Sequence, residues 1–86
     1  MSEVRQPVIG QSVVFVDAHG QGHPALLTAV HGSAGPEWQP SVNLVFVTDD
    51  TSKTDPYGRQ IERHTSVVHR AMQGAHGMFW RFNEEV

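Results

Sequence analysis

Six histidines stand among 86 residues, and histidine is both a common metal ligand and a proton carrier near neutral pH. Asp17, His19 and His23 fall around one Gly-rich turn, Ala18 to Gly22 (AHGQG). They carry the oxygen and nitrogen atoms that zinc or another divalent cation takes as ligands. The plainer role of the same residues is turn chemistry, with the Asp17 carboxylate accepting backbone N–H groups, and the sequence assigns no metal and no cofactor. His64 and His69 are five apart, an odd spacing that sends them to opposite faces of a strand. Asp49 and Asp50 diverge likewise if extended, so no paired-carboxylate acid/base site forms within the chain. Ser66 lies near both His64 and His69, but an orienting acid, an oxyanion hole and a nucleophile elbow are missing. No glycine loop of the phosphate-cradling kind occurs. These residues predict a protein that is not an enzyme and has no catalytic site.

Two further groups bear on binding. Tyr57, Arg59, Arg63, His64 and Arg70 combine an aromatic ring with positive side chains, the pattern of single-strand nucleic-acid surfaces. A duplex footprint needs concentrated positive charge, whereas this chain has a net charge of −3. Its basic stretch is confined to 53–70, where Lys53, Arg59, Arg63 and Arg70 outweigh Asp55 and Glu62. Nucleic-acid contact through Arg59, Arg63 and Arg70 is therefore the alternative. The second group is aromatic. Trp38 sits in a Gly/Pro-dense stretch (GSAGPEWQP), and Met78, Phe79 and Trp80 are consecutive. Exposed tryptophan is a preferred interface anchor, so Trp38, Tyr57, Met78, Phe79 and Trp80 are the expected protein-contact residues, against a role in capping the ends of the fold.

The elements that must position these side chains read as strands. Short β-rich runs recur between turn signals, and no window keeps a 3.6-residue apolar period. Five strands are predicted: Ser12 to Asp17, His23 to His31, Ser41 to Thr48, Gln60 to His69 and Met78 to Phe82. Pro24 lies near the start of the second, where a missing N–H does least harm. Alternation puts Ala25, Leu27, Ala29 and His31 on one face of that strand, and Leu26, Thr28 and Val30 on the other. The third strand (SVNLVFVT) is the most apolar and is expected to be central, with Val42, Leu44 and Phe46 facing one way. Asp55-Pro56-Tyr57-Gly58 matches type I turn preferences, so the chain reverses there. The fourth strand alternates Ile61, Arg63, Thr65, Val67 and His69 against Glu62, His64, Ser66 and Val68. Residues 71–77 can hold a single helical turn. Five strands with these loops suit an all-β fold, a small five-stranded SH3-like barrel that curls to remove most of its edges. Residues 1–9 read as an N-terminal arm, 10–82 as the barrel and 83–86 as a C-terminal tail.

The absence of cysteine leaves neither a disulfide staple nor a thiolate zinc site. A core this small gains most from docking or self-assembly. No run approaches a membrane span, and no signal-peptide hydrophobic region opens the chain.

The order of a glycine, an apolar strand, a Gly-rich turn, then ALLTAV and VNLVFV looks like the opening hairpins of Tudor and KOW-type SH3-like barrels. From Gly10 to Phe82 the chain resembles small uncharacterised proteins of tailed bacteriophages and environmental bacterial or viral sequences. The segments that carry this are VVFVDAHGQGHPALLTAVHG, PSVNLVFVTDD, DPYGRQIERHTSVVHR and HGMFWRF. The resemblance implies a phage-like origin. Combined with the small core, the acidic balance and Trp38, it leads to the expectation of a protein–protein interaction module, a minor or decorating component of a virion. Its partners would be capsid or identical subunits, with no membrane contact, in the virion or the host cytoplasm. The alternative is a KOW-like nucleic-acid or host-regulator binding module.

Overall fold

The computed structural model describes residues 5–48, 52, 54–55, 58–72 and 77–85. Its strands are β1 (Ser12–Val16), β2 (Gly22–His31), β3 (Ser41–Val47), β4 (Thr54–Asp55), β5 (Gly58–Arg59), β6 (Ile61–Val67) and β7 (Phe79–Arg81). The five long runs predicted as strands are β1, β2, β3, β6 and β7. They form one antiparallel sheet in the order β6-β3-β2-β1-β7, with β3 inside it. β4 and β5 pair separately, Asp55 opposite Gly58, across the expected reversal. A 3₁₀ turn at Arg70–Met72 occupies the connection that had room for one helical turn. The described residues include no α-helix, and none of their helices is long and apolar enough to cross a membrane. The sheet curls until its two ends meet at one point, where the Trp80 N–H donates to Val68 O at 2.9 Å and His69 bridges Trp80 in parallel. The result is all-β, a curled half-barrel of the small SH3-like kind.

β-branched and aromatic residues suit a pleated surface with one face buried. Val13 and Phe15 of β1, Ala25 and Leu27 of β2, and Val42, Leu44 and Phe46 of β3 alternate into one core. Val67, Trp80 and Phe82 complete it.

Two strands depart from simple alternation. In β2, the register runs from Leu27 opposite Leu44 to Ala29 opposite Asn43, so Thr28 is an extra residue. That bulge reverses the phase. Val30, expected on the face opposite Leu27, packs against the core instead, while His31 is exposed. In β6, Leu44 faces His64 and Val42 faces Val67, so Thr65 and Ser66 together oppose Asn43. Ser66 takes a left-handed φ of 55° at this corner. Glu62 and His64 therefore point towards the core at the strand's start and Val67 and His69 after the bulge, whereas the sequence grouped Val67 with Ile61 and Arg63.

Described residues at both ends of the chain make contacts with the rest of the fold. Residues 5–9, read as an arm, lie on the barrel: Pro7 is fully buried, and the Gln6 side chain accepts the Ala34 N–H at 2.7 Å and donates to Gly32 O at 3.3 Å. Arg5 lies over the Phe82 ring, 4.0 Å from its centroid. Within 83–85, read as a tail, Glu85 accepts the Phe82 N–H at 2.8 Å.

Candidate functional site

The β1–β2 turn gathers the first candidate residues. Asp17 Oδ1 accepts the N–H groups of His19 at 2.8 Å and Gln21 at 3.0 Å, while Oδ2 meets His23 Nε2 at 2.8 Å. Gly20, with φ of 81°, supplies the left-handed step that only glycine makes without strain. The His23 ring, then the Gln21 and His19 N–H groups, hold the Asp17 carboxyl at a pKa of about 2. His23 is buried and its ring packs against Phe46, centroids 4.9 Å apart, whereas His19 is exposed. The structure thus brings Asp17 and His23 together as a turn lock, and the described residues contain no cluster of three or more groups able to hold a metal ion.

His64 and His69 stay apart. His64 stacks on Phe15 at 4.9 Å and on Phe46 at 5.5 Å, in the middle of β6. His69 lies edge-on to Trp80 at 4.7 Å. Its Nδ1 accepts the Ala71 N–H at 3.0 Å, which places the ring proton on Nε2, 2.9 Å from Glu85 Oε1. Burial pushes the Glu85 carboxyl up, but the Phe82 N–H, His69 and Arg70 together outweigh it and hold it below its usual range. Ser66 is the corner of the bulge, its N–H donated to Asn43 Oδ1 at 3.0 Å. Asp49 and Asp50 lie outside the described residues.

The expected protein-contact residues divide. Trp80 is 0% exposed, with its Nε1 donating to Pro40 O at 3.2 Å. It is a core residue and not a surface anchor, because β7 closes the curl of the sheet and its central side chain points inward. Phe79 is partly buried and Met78 is 39% exposed. Trp38 is half exposed, its Nε1 donating to Ser33 O at 3.1 Å. Its ring lies so close over Gly35 that a Cβ there would sit 2.1 Å from the ring, which explains the glycine at that position. Tyr57 lies outside the described residues.

The basic residues do not converge. Arg59 is in β5, with Nη1 3.4 Å from Thr48 O. Arg63 is exposed in the middle of β6. Arg70 opens the 3₁₀ turn beyond the far end of β6, 3.9 Å from Glu85.

The outer face of the sheet holds what the sequence reading passed over. Leu26 and Val45 are cross-strand neighbours, as are Val47 and Ile61, and Val14 faces Pro24. Pro24, Leu26, Val45, Val47 and Ile61 line one open groove. Leu26 is 49% exposed, Val47 52% and Ile61 58%. Arg63, opposite Val45, and Arg81, opposite Val14, stand at the two margins of this apolar band. A signal was present: β3 is apolar on both faces, with Val45 and Val47 alternating with Leu44 and Phe46, as in strands covered on both sides.

Comparison with protein-family models, with curated proteins and with solved structures returned no match. The fold and the surface just described carry the functional argument.

Proposed function

We propose that this chain is a non-enzymatic protein–protein interaction module that docks on other protein subunits through the outer face of its sheet. Its resemblance to tailed-phage proteins makes a minor or decorating component of a virion the proposed setting. The observation that supports this reading is the apolar band on β2, β3 and β6, where Leu26, Val47 and Ile61 are each about half exposed side by side. Contiguous exposed apolar surface rimmed by polar groups marks an interaction site. Taking these three side chains fully out of water contributes about 1 kcal/mol apiece. Trp38 and Met78 supply further exposed contact area at other loops.

Mass spectrometry of purified particles tests the setting, and absence of the chain from them would remove the virion. The docking face is tested by Val47→Asp, which leaves the core untouched. It should lower incorporation into particles at least about tenfold, since a charge would be desolvated in the contact. Unchanged incorporation would count against this face. Salt-dependent retention of single-stranded DNA or RNA, abolished by charge reversal at Arg63, would instead favour the KOW-like alternative.

A further inference from the structure

The groove on the outer face runs across the strands, between two rows of side chains. One row is Arg63, Val45, Leu26 and Ser12, each opposite the next on β6, β3, β2 and β1. The other begins with Ile61 opposite Val47 and ends with Pro24 opposite Val14. Rows two residues apart along a strand are separated by about 7 Å, and the three strand spacings from β6 to β1 make the groove about 14 Å long. Its middle lies on β1, β2 and β3, each of which has a strand on both sides. Their backbone groups are spent sideways in the ladders, so this face offers side chains only. Among the described lining residues, Ser12 alone is polar.

We infer that this groove receives the apolar stripe of an amphipathic helix from a partner protein, with an acidic residue at the helix end that meets Arg63. The inference rests on the docking reading above and names the partner's form and charge. An extended segment laid on this carbon surface would bury its own N–H and C=O groups without partners. A helix satisfies those groups internally and presents apolar residues at i, i+3, i+4 and i+7. At 1.5 Å per residue, about ten residues cover the groove. Charge selects the sign of the helix ends. Glu62 is the one acid in the five strands of this sheet, and it points towards the core, whereas Arg63 is exposed at the β6 margin and Arg81 lies at the β7 margin. A second copy of the chain fits poorly, because it would bring the same arginine-rimmed face and no acid to answer it.

The probe is a fluorescein-labelled peptide, Glu-Glu-Leu-Ala-Gln-Leu-Leu-Gln-Ala-Leu-Ala-Glu-Glu. Its four leucines form the stripe, and its acidic ends serve either orientation. Titration against the full chain should give saturable fluorescence anisotropy, a gain of helical circular dichroism, and shifts in the methyl NMR signals of Leu26, Val45, Val47 and Ile61. Arg63→Glu should weaken binding at least about fivefold. A peptide with Lys for Glu should bind that variant better than it binds the parent, which separates loss of complementarity from loss of fold. Absence of saturable binding, shifts confined to residues away from the groove, or unchanged affinity on Arg63→Glu would each overturn the inference. So would a dimer formed through the same methyl groups without peptide. If the peptide fails while Val47→Asp still lowers particle incorporation, the helix inference falls and the docking reading stands. If Val47→Asp also has no effect, both fall.

Discussion

Asp17 shows how a residue with metal-binding potential is consumed by its own turn. Both carboxylate oxygens are engaged, Oδ1 by two backbone N–H groups and Oδ2 by His23. These donors favour the ionised form, which is why its pKa falls to about 2 from a model-peptide value of 3.8. A carboxyl whose folded pKa is depressed contributes stability that is fully present above its unfolded value and lost as pH falls through the folded value. The chain should therefore lose stability between about pH 4 and pH 2. Asp17→Asn keeps an acceptor for the turn but removes the titration. Its thermal midpoint should be lower at neutral pH and should fall less steeply across that window. An equal slope in both proteins would assign the acid sensitivity elsewhere, Glu85 being a second carboxyl held low among the described residues. The two tryptophans make a second contrast at this scale. Trp38 lies half exposed over Gly35, while Trp80 is sealed between His69 and Phe82.

At the scale of the element, the informative features are the two bulges, and Asn43 stands between them. Its Oδ1 meets His31 Nε2 at 2.8 Å on the β2 side and the Ser66 N–H at 3.0 Å on the β6 side. A polar residue in the most apolar strand thus ties down the places where its neighbours change phase. A bulge bends the strand and increases its twist, which helps a five-stranded sheet curl far enough for β7 to reach Val68. The left-handed φ of Ser66 costs an L-residue about 1–2 kcal/mol, and more when the side chain is β-branched. Ser66→Val should destabilise the fold by at least about 1 kcal/mol in urea unfolding, while Ser66→Gly should stay within about 0.5 kcal/mol of the parent. Equal effects from the two substitutions would show that the bulge relaxes in solution.

For the molecule as a whole, the termini close what the strands leave open. Phe82 sits between Arg5 and the β7 end, and Glu85 reaches His69 and Arg70 next to the 3₁₀ turn. Gln39 Nε2 donates to Arg5 O at 2.9 Å, so the β2–β3 loop holds the N-terminal segment in place. A small domain without disulfides has little core to spare, and these contacts extend it. Deleting residues 1–9 removes the burial of Pro7 and the two Gln6 hydrogen bonds. The loss expected in urea denaturation is about 2–4 kcal/mol. A truncated chain as stable as the full one would reduce the arm to an ornament on the barrel. The outer face is untouched by these terminal contacts, so the truncation and Val47→Asp separate stability from docking.

Strand positions, the reversal at Asp55 to Gly58, the place of β3 inside the sheet and the shared face of Val42, Leu44 and Phe46 were legible in the residues alone. Each is governed by local causes: β-branched runs, period-two alternation and turn residues with fixed dihedral preferences. The inward sets of β2 and β6 were not, because a bulge exists only relative to a partner strand, and nothing in the polar run Arg63 to Val67 (RHTSV) marks where two residues must face one. Trp80 was misjudged for a related reason, since burial depends on which distant segment folds over a residue. The apolar outer band was written in β3, but only the tertiary arrangement decided that no described element covers it and that β6 ends the sheet. Sequence sets what each segment prefers next to its immediate neighbours. Packing decides which of its surfaces is left facing water, and in this protein that surface is where the proposed function lies.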